Sequence, residues 1–145
     1  MTSAARWLVS FYIVATLFSA GCNLGGGPPP PGGQLAIENV AKWYQLYRTR
    51  NRGKPPKDEE AFIKFVENEV KGRGDAFDAD EFLTSPRDGQ KFVIQYGKGN
   101  SKNIERNVAV YEKEGYGGKK LVAFEAAWAK EVDDAELQSL LAAGD

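Results

Sequence analysis

The chain carries a single cysteine, Cys22, and no histidine at all. That combination decides which chemistries are open. Without an imidazole there is no histidine general acid or base, no Ser-His-Asp or Cys-His nucleophile, and no histidine-ligated zinc, copper or haem. Ser101 sits in Gly99-Asn100-Ser101-Lys102-Asn103, one residue away from a nucleophile-elbow pattern, and nothing in the chain can activate it. Gly115-Tyr116-Gly117-Gly118-Lys119-Lys120 has the composition of a phosphate loop but not its spacing. Lys113 stands where the first glycine is needed, and Lys120 where Ser or Thr must follow the lysine. The segment also leads into a strand pattern, so it reads as a hairpin loop.

Charged residues supply the remaining candidates. Asp75, Asp78, Asp80 and Glu81 could offer oxygen ligands to calcium, but they lack the alternation and turn glycine of an EF-hand loop and read as a solvated acidic turn. Arg73-Gly74-Asp75 is the tripeptide integrins read, and a three-residue match in a glycine-rich loop is expected by chance. Arg48, Arg50, Arg52, Lys54 and Lys57 gather positive charge at the end of a helical pattern. They complement the helix dipole there, or they contact anionic lipid or polysaccharide. Trp43, Tyr44 and Tyr47 read as core rather than as a sugar-stacking platform. The net charge of −1 provides no basic field for nucleic acid. The expectation is therefore no catalytic residues, no cofactor and no metal. A carboxylate-based envelope hydrolase is the enzyme alternative, and nothing places two carboxylates across a cleft.

Cys22 is the residue with a distinctive setting. Arg6 precedes an uncharged, mostly apolar run from Trp7 to Ala20, which the small residues Ser19, Ala20 and Gly21 close. This is the layout of a secretory signal peptide, residues 1–21. The run is shorter than the ~20 residues a membrane-spanning helix needs, which sets a permanent transmembrane anchor as the lesser alternative. Ser19-Ala20-Gly21-Cys22 resembles the lipobox of bacterial lipoproteins, with Ser19 where leucine is usual. The resemblance implies a diacylglyceryl group on Cys22 and cleavage just before it. Ordinary secretory cleavage near Ala20 or Gly21 would leave a free thiol instead. A lone cysteine has no internal partner in an oxidising compartment, which favours lipidation. Asn23 follows the cysteine, and by resemblance to lipoprotein sorting the absence of Asp favours the outer over the inner membrane.

The elements that follow are a tether and one domain's worth of chain. Residues 22–33, with Gly25 to Gly33 reading GGGPPPPGG, form a semi-stiff spacer reaching on the order of 30 Å. Residues 34–145 are predicted to fold as a single α+β domain: N-terminal helices packed on a small three-stranded antiparallel meander, and a short C-terminal helix. Ile37, Val40, Ala41, Tyr44 and Tyr47 make the apolar stripe of a helix over 34–50, broadened by Trp43 and Leu46 and stopped by Gly53 and Pro55-Pro56. Asp58 caps a second helix to Val70, striped by Phe62, Phe65, Val66 and Val70. Asp80 to Thr84 adds one helical turn, and Ser85-Pro86-Arg87-Asp88-Gly89 is a turn.

Beyond that turn the periodicity changes to two. Lys91–Tyr96 places Phe92, Ile94 and Tyr96 on one face; Asn107–Glu112 places Val108 and Val110 on one face. Lys120–Trp128 reads as a single strand with Val122, Phe124, Ala126 and Trp128 inward. Asp133 and Glu136 form a capping box for the last helix, with Val132 stapled to Leu137.

The helix that ends in the proline-containing loop Asn51 to Pro56, and the Ser85–Phe92 turn entering a strand, resemble the globular head of bacterial type II secretion pseudopilins. That resemblance implies a helix packed on a small antiparallel sheet. The chain lacks the prepilin cleavage motif and the long hydrophobic N-terminal helix, so filament assembly is not implied. Together these features point to a lipid-anchored envelope protein with a non-catalytic interaction or structural domain. Its partners would be the membrane, through lipid on Cys22, and an envelope protein or the cell wall. A secretion-system accessory related to pseudopilin heads is the alternative.

Overall fold

A computed structural model describes residues 30–98 and 103–144. The elements are α1 (Gly33–Arg50), α2 (Glu59–Lys71), α3 (Ala79–Leu83), β1 (Val93–Ile94), β2 (Val108–Tyr111), β3 (Lys120–Phe124), β4 (Ala129–Val132) and α4 (Asp134–Ala143). The four strands form one antiparallel sheet in the order β1-β2-β3-β4. The α+β architecture follows the sequence expectation, with four strands in the meander instead of three.

The helices form where stripes and caps direct them. Ile37, Val40, Ala41 and Tyr44 are fully buried along α1, and Tyr47 and Trp43 pack edge-on against Phe65 of α2. Asp58 accepts the Ala61 N–H at 2.8 Å and starts α2. Gly33, assigned to the tether by composition, is instead the first residue of α1 and is buried. At α4, Asp133 accepts the Glu136 N–H at 2.8 Å, but the Glu136 carboxylate pairs with Lys130 rather than reaching back, so only half of the capping box forms. Val132 and Leu137 share a hydrophobic cluster, as a staple requires.

The sheet is covered on both faces, which two-residue periodicity alone does not reveal. One face carries Phe92, Ile94, Ala109, Val110, Leu121 and Ala123 against α1, α2 and α3. The other carries Val108, Val122, Phe124 and Val132 against Leu137, Leu140 and Leu141 of α4. β1 is shorter than expected, yet Phe92, Ile94 and Tyr96 do share the helix-facing side.

Two strand expectations need correction. A bulge between Val108 and Val110 shifts the register from Val108↔Phe124 to Val110↔Ala123. It sends Val108 to the α4 face and Val110 to the α1 face, so they do not share a side. The expected strand Lys120–Trp128 ends at Phe124 and turns back through residues 125–127. Ala127 N–H donates to Phe124 O at 2.8 Å with Ala127 at φ 61, and β4 then pairs Ala129 with Ala123. This is a three-residue hairpin whose left-handed position holds alanine instead of glycine. Ala126 therefore lies in the turn, and Trp128 stacks at 4.2 Å on Phe124 from an exposed position.

Val122 and Phe124 do share a buried face, and Phe124 is central to the cluster under α4. Phe124→Ala is expected to cost ~3–5 kcal/mol, whereas Lys119→Ala, on the exposed hairpin loop, should stay within ~0.5 kcal/mol. Denaturant titration of the two variants checks this, and equal small effects would contradict the α4-side core.

Candidate functional site

Cys22 and Ser101 lie outside the described residues. The other candidates can be placed. Tyr116 and Lys119 pair across the tip of the β2–β3 hairpin, so the glycine-rich segment is a turn. Asp88 closes it by accepting the Glu114 and Gly115 N–H groups at 3.1 and 2.8 Å. Gly115 is required there: its φ is +75, and a Cβ would stand 2.2 Å from Lys119 O.

The acidic cluster disperses into local roles. Asp78 caps α3 by accepting the Asp80 and Glu81 N–H groups, and Asp80 pairs with Lys91 at 3.0 Å. That contact, with Glu59, raises the Lys91 pKa. Among the described residues no three His, Cys, Asp or Glu side chains gather as a metal site. In the Arg73-Gly74-Asp75 turn, the Arg73 guanidinium lies 5.5 Å from the Trp43 ring centroid, a cation–π contact that occupies one face of that ring.

The basic residues at the end of α1 separate into two sets. Arg48 is structural: its Nε donates to Gly53 O at 2.8 Å, and its Nη1 pairs with the buried Glu125. Arg50 reaches Glu69 at 3.4 Å, and Lys57 lies 3.4 Å from Asp58. Arg52 and Lys54 have no ion pair among the described residues. Tyr47, Arg50, Asn51, Arg52, Lys54, Pro55 and Lys57 line one shallow cleft. Its chemistry is that of an anion receiver, with two uncompensated cations beside an aromatic ring and a proline. Trp43, Tyr44 and Tyr47 belong to the helix-side core, as the sequence suggests, although the edge of Tyr47 reaches this cleft.

Composition and spacing gave no sign of the buried polar groups. Glu125 is almost fully buried and accepts from Arg48 and, at 3.3 Å, from Asn107. Burial raises its pKa, opposed by Asn107 and Arg48. Tyr44 donates its hydroxyl to Gln95 O at 2.8 Å; its pKa is pushed well up, chiefly by burial and then by Glu125. Ser85, Arg87 and Glu112 form a second buried set beneath the hairpin. The only sequence signal for any of these is a charged residue ending an apolar strand, as Glu112 and Glu125 both do.

The Glu125 shift has a sign that can be measured. As pH rises above about 4.5, the folded chain keeps this proton longer than the unfolded chain does. The contribution of Glu125 to stability therefore falls over that rise in pH. Glu125→Gln should make the slope of unfolding free energy against pH less negative there, and identical slopes would contradict the raised pKa. Comparison of the chain with protein-family models, with curated proteins and with solved structures finds no match.

Proposed function

We propose that the chain is an exported lipoprotein, held on the cell envelope by lipid on Cys22, whose residues 34–145 serve as a non-catalytic interaction domain. One observation carries this reading: Ser19-Ala20-Gly21-Cys22 closes a signal-like apolar run and is followed at once by a glycine–proline spacer. Two or more acyl chains, at ~0.8 kcal/mol per buried CH₂, anchor a protein stably. Asn23 after the cysteine supports the outer membrane.

The direction of α1 supports the choice of partner. The spacer enters at Gly32, and α1 runs 18 residues, about 27 Å, to the basic cleft at its far end. An anchor at one end leaves the cleft at the other, directed away from the bilayer. Arg52 and Lys54 suit an anionic partner there, either an acidic protein surface or an anionic cell-wall polymer. A second reading, an accessory related to pseudopilin heads, is favoured by α1 lying on an antiparallel sheet that the Ser85–Gly89 turn leads into. Co-purification of secretion components from crosslinked membranes separates the two.

Mass spectrometry of the mature N-terminus tests the anchor directly. The expected first residue is Cys22 carrying acyl chains, and Cys22→Ala should release the protein from membranes or leave it unprocessed. A mature chain that begins elsewhere with an unmodified Cys22 would overturn the reading.

A further inference from the structure

The start of α1 is left electrically unbalanced. Its N-cap, Gly32 at φ +91, has no side chain to accept a hydrogen bond, and the first turn contains no acidic residue. The N–H groups of Gly33, Gln34 and Leu35 have no partner among the described residues. A helix start of this kind presents a partial positive charge and favours an anion.

What lies against it is a cation. A Cβ on Gly33 would stand 2.4 Å from Arg87 Cδ and 2.5 Å from Arg87 Cγ, so Arg87 is pressed onto the first turn. The Arg87 side chain is only 4% exposed, yet its Nε and Nη2 have no hydrogen-bond partner. Glu131 holds Nη1 alone, at 2.7 Å, and Glu112 Oε1 lies 3.6 Å from Nε. Buried guanidinium donors without acceptors are costly, and a cation beside a helix start adds to the cost. One kind of ligand relieves both.

Beside these groups is an open hollow of about 510 Å³, lined by Pro31, Gly33, Gln34, Arg87 and Glu131 among others, ample for a tetrahedral oxyanion. We propose that this hollow is an oxyanion site for a phosphate group, held by the Nη1/Nη2 edge of Arg87 and the free amides of α1. Glu131 occupies one nitrogen of that edge when the site is empty. Its side chain is 46% exposed, so it can turn out to solvent when phosphate takes the guanidinium edge. A tetrahedral group suits donors that arrive from two directions, the guanidinium plane and the helix axis. Pro30 and Pro31 also line the hollow, which puts it where the tether leaves. If Cys22 carries lipid, as proposed above, this is the part of the domain nearest the bilayer, and the phosphate source is a lipid headgroup.

The test uses the full chain in a detergent with uncharged headgroups, titrated with inorganic phosphate and followed by nitrogen-15 NMR. Saturable shifts are expected at the Gly33 and Gln34 amides and at Arg87 Nε–H. Arg87 is too deeply packed for its removal to be informative, so two milder variants decide the matter. Glu131→Gln removes the competing carboxylate and should tighten phosphate binding about fivefold. Gln34→Glu places a carboxylate at the helix start, with Glu38 repelling it toward the free amides, and should weaken binding by at least a similar factor. Vesicles of phosphatidylglycerol that compete with phosphate for the same signals identify the headgroup as the source; vesicles that do not compete leave free phosphate as the ligand. No saturable shift at these groups, or unchanged affinity in Glu131→Gln, would overturn the site. The phosphate titration does not depend on lipidation of Cys22, so failure of the anchor and failure of the site show separately.

Discussion

A carboxylate with no exposed surface sits where the Ser85–Gly89 turn meets the β2–β3 hairpin. Glu112, 0% exposed, ends β2 and accepts the Ser85 hydroxyl at 2.7 Å and the Leu121 N–H at 2.8 Å. Its own N–H donates to Leu121 O at 3.0 Å, so the side chain completes the hydrogen bonding of the first pair beyond the ladder. Arg87 Nε stands 3.6 Å away and supplies the countercharge. A carboxylate so deeply placed is tolerable only when its oxygens are answered by neighbours. The neighbours that answer it come from the Ser85–Gly89 turn and the β2–β3 hairpin.

From this point the arrangement of the rest follows. Ser85 Oγ also accepts the Arg87 N–H at 3.1 Å, which fixes the turn and aims the Arg87 stem across the start of α1. A Cβ at position 33 would force that stem to move. Arg87 reaches on to Glu131 of β4, so one buried cation connects the helix layer, the hairpin and the last strand. At the far end of α1 the Arg48–Glu125 pair does similar work, joining the helix to the β3–β4 turn. α1 is thus tied to the β3–β4 turn at its far end by an ion pair, packed under the Arg87 stem at its start, and held along its middle by Ile37, Val40, Ala41 and Tyr44. A rigid helix held this way separates what happens at the tether from what happens at the basic cleft.

The sequence was legible where a local rule was sufficient. The α1 stripe apart from Leu46, the Asp58 cap, the Asp133 half of the capping box and the proline stop at the end of α1 each need only nearby residues, and each appears as read. The β3–β4 turn was not legible, because Ala127 takes φ 61 without the glycine or asparagine that marks such a position. Unbroken alternation from Val122 to Trp128 then looked like one long strand. The bulge at Ala109 has no signature in composition either, and it reverses the facing of Val108 relative to Val110. Sites fared unevenly for the same reason. The basic cleft was visible as a run of Arg and Lys, but which members stay unpaired depends on Glu125 and Glu69, far away in sequence. The helix start and Arg87 are more than fifty positions apart, and only the fold brings them together.

Glu112 is central as a buried carboxylate whose hydrogen bonds hold the Ser85–Gly89 turn to the β2–β3 hairpin. Denaturant unfolding of Glu112→Ala measures this most directly, because the substitution leaves the Ser85 hydroxyl and the Leu121 N–H without their acceptor and removes the carboxylate facing Arg87. The expected loss is ~3–5 kcal/mol, the usual result of removing one member of a buried pair. A loss below about 1 kcal/mol, the scale of an exposed ion pair, would contradict the central role given to Glu112.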